Sequence, residues 1–215
     1  MTTNNQDWLK LANAVFSAKL APTEALLVHG WGDLHDQTID FVGNLYQQFK
    51  PKLIALNGAP EYELGTPGVD YWRERLITKW QVPAEIIKAT SPAPHTLAEA
   101  EGFITLAVEA GVKTATVISV PAHILRAFLT NLGVVQNRGL DLKLTPLTYV
   151  DVNWTEPLTI RGLVGVHAEE ETTRLGRLVG ECGRIVEYRA EFEAGNKNYL
   201  IASIEDGLDH LGLSR

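Results

Sequence analysis

Between residues 24 and 150, short runs of apolar residues alternate with longer amphipathic segments, and this alternation constrains the fold more than any other feature of the sequence. A short run that is apolar at nearly every position is typical of a strand buried on both faces of a parallel sheet. Helices between such strands make right-handed crossovers. The sequence therefore predicts an α/β fold, a Rossmann-like three-layer sandwich with a mostly parallel sheet of about five strands. The predicted strands are Ala25–Val28, Leu53–Leu56, Glu85–Ala89, Thr114–Ser119 and Leu142–Leu147.

Extra helices are predicted at both termini. Apolar positions at helical spacing favour a helix over Asp7–Leu20, packed on the body of the domain. Beyond Asp151 the pattern changes to a loop at Thr155–Thr159, a charged helix over Val166–Tyr188 and a last helix over Tyr199–Leu213.

The chain is expected to form a single domain over residues 1–215, because no segment has the composition of a linker. Residues 24–150 would form the Rossmann-like core and residues 151–215 a C-terminal helical appendage of the same domain. The helices of this appendage are a candidate surface for a homodimer. The longer of them carries an apolar stripe of Leu175, Leu178, Val179, Cys182, Ile185 and Val186.

The charge of the chain excludes several classes of partner. The formal net charge is -7 at pH 7, so we expect no nucleic-acid binding and no attraction to an anionic membrane. No apolar run reaches the roughly 18 residues of a membrane-spanning helix. Cys182 is the only cysteine, and the first residues lack the basic region of a secretory signal. These features together predict a cytoplasmic protein.

Polar residues and glycines follow four of the predicted strands. In open α/β sheets ligands bind outside the carboxyl ends of the strands, where the strand order reverses. We therefore expect these residues to meet at one edge of the sheet and to form a ligand site. They are His29, Gly30, Trp31, Gly32 and Asp33 after the first strand, Asn57 and Gly58 after the second, His95, Thr96 and Glu99 after the third, and Ser119, His123 and Arg126 after the fourth.

The turn Gly30-Trp31-Gly32-Asp33 is half of a dinucleotide-binding fingerprint, because the third glycine of G-x-G-x-x-G is replaced by His35. Its glycines let backbone N–H groups approach an anion at a helix N-terminus, or they simply turn the chain. Trp31 is a candidate for stacking on a base, and Asp33 for binding ribose hydroxyls.

Thr96-Leu97-Ala98-Glu99 matches the capping box S/T-x-x-E, which stabilises the start of a helix and implies no function. His95, immediately before it, has no such structural explanation and is a candidate catalytic residue.

His123 and Arg126 lie three residues apart in a segment where Pro121 is predicted as a first helical residue. Residues at this spacing share a helical face, so both side chains can reach one pocket. Histidine transfers protons near neutral pH, and the guanidinium fork matches phosphate or carboxylate. The alternative is a histidine at a helix terminus beside a surface arginine.

Three other kinds of chemistry find little support in the sequence. His29, Asp33, His35 and Asp36 lack the tight spacing of a metal motif such as H-E-x-x-H, so no metal is expected. Neither a G-x-S-x-G nucleophile elbow nor a phosphate-binding P-loop is present.

Several motifs together resemble the YdcF-like family, also called domain of unknown function 218, which includes SanA- and ElyC-like proteins. They are the glycine turn Val28–Gly32, the turn Leu56–Gly58, the Thr/Glu motif His95–Glu99 and the His-x-x-Arg-Ala helix start within Ile118–Ala127. The resemblance covers Glu24–Tyr149. The family commonly has asparagine where this chain has Ala100, and many members carry an N-terminal membrane anchor, so the chain is similar to a divergent soluble member.

The resemblance implies a Rossmann-like fold and a polar pocket that includes Thr96, Glu99, His123 and Arg126. The family has no agreed reaction, and its proposed roles include envelope maintenance and the binding of nucleotides or S-adenosylmethionine.

Three functions remain open at this stage. The first is an enzyme or binding protein for an anionic, phosphate- or nucleotide-bearing ligand, with His123 as acid–base group, Glu99 orienting it or acting as a second base, and Arg126 holding the anion. The second is a protein that binds S-adenosylmethionine or a nucleoside without hydrolysis. The third is a non-catalytic interaction protein that uses its C-terminal helices, including Leu175 and Leu178.

Overall fold

The computed structural model describes residues 5–30, 34–60, 67–149, 151–160 and 170–214. Its main sheet has five parallel strands in the order β3-β2-β1-β4-β5. The predicted α/β Rossmann-like architecture is therefore confirmed. The strands are β1 Ala25–Val28, β2 Leu53–Leu56, β3 Ile87–Ala89, β4 Thr114–Ile118 and β5 Lys143–Leu147.

Helices cover both faces of this sheet. The described helices are α1 Asn5–Phe16, α2 His35–Phe49, α3 Gly68–Thr78, α4 Thr96–Glu109, α5 Ile124–Asn137, α6 Arg174–Glu193 and α7 Ile204–His210. Helices α2 and α3 pack on one face, and α1, α4, α5, α6 and α7 pack on the other. Single 3-10 turns precede β3 at Ala84–Ile86 and follow α6 at Lys197–Tyr199.

The central strands β1 and β2 are apolar throughout because each faces a hydrophobic core on both sides. In β1, Ala25 and Leu27 join the core under α4 and α5, whereas Leu26 and Val28 join the core under α2 and α3. Successive side chains of a strand point to opposite faces of a sheet. Burial on both faces thus explains why these runs show no alternation of polar and apolar residues.

The strand order reverses between β1 and β4. The chain runs from β1 outward through β2 to β3, then crosses to β4 on the other side of β1. At such a switch point the connections after two neighbouring strands leave in opposite directions, and ligands of open α/β sheets bind there. The register pairs Val28 with Ile118, so the residues that follow β1 and β4 emerge side by side.

The C-terminal part differs from the expectation in two places. Pro157–Ile160 (β6) and Glu170–Thr173 (β7) pair as an antiparallel ladder, so the predicted loop at 155–159 is wrong. Helix α6 begins only at Arg174, where the Thr173 side chain accepts a 3.0 Å hydrogen bond from the backbone N–H of Gly176. Glu170–Thr173 contains no apolar residue, and the Leu-Thr-Ile alternation within Pro157–Ile160 is too short to predict a strand.

The last two helices pack on the same core as the rest of the chain. Ile185 of α6 and Leu208 of α7 belong to the core that also contains the buried residues of α4 and α5. The final helix is shorter than predicted, because Ser203 begins it with a capping box that includes Asp206. None of the helices in the described part of the chain is long and apolar enough to cross a membrane.

Candidate functional site

His29 lies at the first residue after β1, where its backbone N–H donates a 2.9 Å hydrogen bond to Ile118 O and extends the ladder with β4. Its imidazole is fully buried. The amide of Asn131 on α5 donates to Ala127 O at 2.8 Å and to His29 Nε2 at 2.6 Å. Because that nitrogen accepts, the ring proton resides on Nδ1 and is donated to Glu99 Oε2, 2.5 Å away.

Glu99 joins this histidine to the glycine turn. Its other oxygen, Oε1, accepts a 3.0 Å hydrogen bond from the backbone N–H of Gly30. The carboxylate is therefore used by the residues that follow β1, and it does not cap its own helix. The backbone N–H of Ala98 donates instead to His95 Nδ1 at 3.1 Å, which makes His95 the N-cap and Thr96 the first residue of α4. The capping-box interpretation of this motif is wrong.

A second buried histidine pairs with a second carboxylate. His123 immediately precedes α5, and its Nδ1 lies 3.2 Å from Glu181 Oε2 of α6. The same oxygen accepts a hydrogen bond from Arg126 Nε at 2.5 Å. Pro121 is not helical as predicted, because residues 121–123 form a turn and α5 begins at Ile124. This turn brings His123 to the edge of the sheet.

Thr96 closes these contacts into a ring. Arg126 Nη1 donates to Thr96 Oγ1 at 2.7 Å, and Thr96 Oγ1 lies 3.4 Å from His123 Nε2. A hydroxyl that accepts from a guanidinium has its own proton to donate. Thr96 therefore donates to His123 Nε2, and His123 donates from Nδ1 to Glu181.

The protonation of this ring follows from its burial and charges. The pKa of His123 is lowered to about 3, first by burial and then by the charge of Arg126, and the hydrogen bond to Glu181 only partly opposes these two effects. Burial alone would raise the pKa of Glu181, but Arg126 and His123 lower it well below its usual range. At neutral pH the ring thus contains a neutral imidazole and an ionised carboxylate.

Arginines surround the Glu181 carboxylate. Besides Arg126, Arg184 Nη1 lies 2.7 Å and Arg177 Nε 3.9 Å from Glu181 Oε1. Among the described residues, three guanidinium groups therefore lie within reach of one carboxylate, an arrangement that stabilises negative charge.

The two carboxylate–histidine pairs are neighbours. The rings of His29 and His123 lie 5.9 Å apart at 90°, and Phe103 contacts the His29 ring with its centroid 5.0 Å away. Beside them, the Oγ of Ser119 is buried and has no hydrogen-bond partner in the part of the chain that the structure describes. The same holds for Oδ1 of Asn131. Since more than nine in ten buried polar groups are paired in proteins, each of these two atoms can take a further hydrogen bond from a water or a ligand.

Asn57 and Gly58, predicted as ligand-binding residues, connect the end of β2 to the loop after β3. The Asn57 amide donates to Ala93 O at 3.0 Å and accepts from Ala93 N at 3.1 Å, which ties the end of β2 to the loop after β3. A Cβ at Gly58 would lie 2.0 Å from Thr90 O, so only glycine fits this close approach. These residues shape the edge of the sheet, and their hydrogen bonds go to the loop after β3.

The remaining predicted site residues are separate from the two pairs or outside the described residues. His95 is exposed at the start of α4. Trp31, Gly32 and Asp33 lie outside the described residues. Asp36, considered above as a metal ligand, accepts a hydrogen bond from Tyr71 at 2.5 Å. Within the described ranges, no group of three or more His, Cys, Asp or Glu side chains is placed to hold a metal ion.

Two hydrogen-bond partners of the buried histidines, Glu181 and Asn131, were missed by the sequence interpretation. Glu181 lies three residues after Leu178 and four before Ile185, so it occupies the apolar stripe of α6 despite its charge. Asn131 interrupts a helix whose residues 124–135 are all buried. A charged or amide side chain on an apolar helix face was the available signal, because such a group is rarely buried unless it is paired.

Comparison with known proteins adds no assignment. No protein-family model matches the chain, and no curated protein matches it significantly. The likeness to the YdcF-like family therefore stays a resemblance of motifs.

Proposed function

We propose that the chain is an enzyme or binding protein for a small anionic ligand that carries a phosphate or a nucleotide, and that it binds this ligand where β1 and β4 end. The observation that supports this most is that two buried histidines, each hydrogen-bonded to its own carboxylate, lie at the switch point of the sheet. The fold also favours this location, since ligands of open α/β sheets bind at the point where the strand order reverses.

A purely structural role would explain the cluster less well. Removing ionised groups from water costs several kcal/mol per ion, and hydrophobic residues of similar volume are often as stabilising. This chain instead buries Glu99, Glu181 and Arg126 together. Ionisable groups with shifted pKa values that are concentrated at a strand-end crevice are typical of functional sites.

His123 is the proposed acid–base group. Glu181 accepts a hydrogen bond from its Nδ1, so Nε2 is the ring nitrogen that can accept a proton. A bound anionic group beside the ring would raise the low pKa of His123 and so favour this protonation. Thr96 contacts that nitrogen at 3.4 Å, which is long for a hydrogen bond, and a ligand hydroxyl can replace it. Glu181, and not Glu99 as the sequence suggested, orients His123. Glu99 orients His29 instead.

The arginines around Glu181 are the proposed anion-binding groups, with Arg126 nearest to His123 through their shared carboxylate oxygen. Gly30 and Ser119 border the same site. His95, Trp31, Gly32 and Asp33 stay predicted ligand or catalytic residues, and Asn57 and Gly58 contribute by shaping the edge of the sheet. The cofactor proposed from the motif resemblance, S-adenosylmethionine or a nucleotide, would bind here.

The first test is a thermal-shift and calorimetry screen with inorganic phosphate, ADP and S-adenosylmethionine. A ligand at 100 times its Kd stabilises a protein by about 2.7 kcal/mol, which is a shift of several degrees. We expect a phosphate-bearing compound to stabilise the wild type and to lose this effect in Arg126→Ala.

Two further variants keep this test interpretable. Arg138→Ala removes an exposed arginine at the other end of α5 and should keep the ligand response. Ser119→Ala removes a hydroxyl that forms no described hydrogen bond, so it should fold normally and bind more weakly. Unchanged binding in both Arg126→Ala and Ser119→Ala would contradict the proposed site, and stabilisation by S-adenosylmethionine alone would favour binding without hydrolysis.

A second candidate function is an interaction protein, favoured by the outer face of α6. Leu175, Val179 and Val186 are 50–64% exposed on this helix, whereas Leu178 packs against the core. A homodimer through this face is the corresponding proposal. It predicts that Val179→Glu converts a dimer to a monomer in light scattering, and a wild-type protein that is already monomeric would contradict it.

A further inference from the structure

A small cavity lies beside Gly30, between the ends of β1 and β2 and the start of α3. Its volume is about 10 Å³, close to the smallest volume that holds one water. None of the lining residues that the structure describes has a charged side chain. Its lining residues are Gly30, Asn57, Ala59, Gly68, Val69 and Trp72.

Trp72 brings an unused hydrogen-bond donor to this cavity. Its side chain is buried, with only 4% of the residue exposed, and its Nε1 has no hydrogen-bond partner in the described part of the chain. By contrast, Nε1 of Trp80, just after α3, donates to Asp40 Oδ1 at 2.9 Å. A buried donor without a partner is costly to a fold, so the Trp72 N–H needs an explanation.

The cavity borders the charged site through Gly30. The backbone N–H of Gly30 donates to Glu99, while the same residue lines the cavity. Asn57, on the opposite wall, already accepts two hydrogen bonds through Oδ1, from Ala59 and from Ala93. Among the described lining residues, Trp72 is thus the one with a buried side-chain donor that has no partner.

We propose that Trp72 is a ligand-binding residue whose indole N–H donates to a neutral oxygen or nitrogen acceptor of the ligand. This inference rests on the proposed function, which supplies the anionic part of the ligand at the arginines. Since the described lining residues are uncharged and the cavity holds about one water-sized atom, its acceptor is a hydroxyl or carbonyl oxygen or a ring nitrogen, because a phosphate group is too large for this volume. The ligand therefore has an anionic part and a neutral hydrogen-bonding part, one on each side of Gly30.

The experiment compares two probes on three proteins by calorimetry. Inorganic phosphate tests the anionic part alone, and ADP tests both parts. Trp72→Phe removes the unpaired N–H, and Trp80→Phe is the matched control because it removes an indole N–H that is already paired within the protein. We expect Trp72→Phe to bind ADP about tenfold more weakly than wild type, the loss of one hydrogen bond, and to bind phosphate unchanged. Trp80→Phe should bind both probes as wild type does.

The outcomes separate this inference from the proposed function. If wild type binds neither probe, the phosphate-bearing ligand is wrong and the Trp72 assignment is wrong with it. Should wild type bind ADP and Trp72→Phe bind it equally well, only the Trp72 assignment is overturned, and a resident water satisfies the N–H. Benzothienylalanine at position 72 replaces N–H with sulfur at nearly constant volume. If the variant with benzothienylalanine binds ADP as tightly as wild type, a weaker ADP affinity of Trp72→Phe is caused by its smaller ring. That result would also overturn the inference.

Discussion

Acid should destabilise this protein through His123 before any carboxylate titrates. The imidazole is held neutral in the fold because burial, together with the charge of Arg126, lowers its pKa from 6.5 to about 3. In the unfolded chain the same group protonates near its ordinary pKa. The unfolded state therefore binds more protons in this range, and the free energy of unfolding falls as the pH falls from about 6.5 toward 3.

The size of this effect is set by the two pKa values. Each unit of difference corresponds to about 1.4 kcal/mol, so His123 accounts for a loss of about 2 kcal/mol between pH 7 and pH 5. Over this range the result depends little on the folded pKa, provided that it stays below about 4. Glu181 adds its own loss only in stronger acid, below its ordinary pKa of 4.5.

The assay is denaturant unfolding at pH 7, 6 and 5 for wild type and His123→Asn. The asparagine side chain retains an N–H for Glu181 but does not titrate. We expect its free energy of unfolding to fall about 2 kcal/mol less than that of wild type over this range. His210, whose pKa burial also lowers, is present in both proteins, so its contribution cancels.

Equal slopes for the two proteins would refute this reasoning, because they would mean that His123 protonates in the folded state. A direct check uses the ring C–H resonances of His123 in the wild type. These resonances should stay constant from pH 7 to pH 5, and a midpoint near 6.5 would contradict the buried neutral form.

Three further predictions concern stability, each measured by chemical denaturation. Gly58→Ala should cost about 1–3 kcal/mol, because the new Cβ would meet Thr90 O at 2.0 Å, and a neutral effect would mean that the loop after β3 can move. Gly180→Ala should stabilise by about 1 kcal/mol, because it is an interior helix position with open space around the added Cβ. Glu181→Ala should cost about 3–5 kcal/mol, because it leaves Arg126 buried without its carboxylate, and a loss below 1 kcal/mol would argue against the ring.

The sequence predicted the fold well because the signals for it are local. Burial on both faces makes β1 and β2 apolar at every position, and their observed bounds coincide with the predicted ones. The hairpin Pro157–Ile160 with Glu170–Thr173 was missed for the converse reason. One of its strands has no apolar residue and the other only a three-residue alternation, so the strand character depends on pairing between the two segments.

The residue types that form the site could also be identified, since polar residues after strands in an α/β pattern indicate the carboxyl edge of the sheet. His123, Arg126, Thr96 and Glu99 were selected in this way, and the structure brings all four close together. Their partners were not selected correctly, because the sequence does not say which carboxylate meets which histidine.

By itself, then, the sequence determined the succession along the chain of the helices and of the five strands in the main sheet. It also determined the edge at which polar side chains collect and the charge of the chain. Only the tertiary structure decided which side chain pairs with which histidine. Glu99 meets His29 across 70 residues of chain, Asn131 meets it across 102, and Glu181 meets His123 across 58. Helical and strand periodicity reports the environment of one segment at a time. The contact between a strand end and a distant helix depends on how several packed layers fit together, which no local pattern encodes.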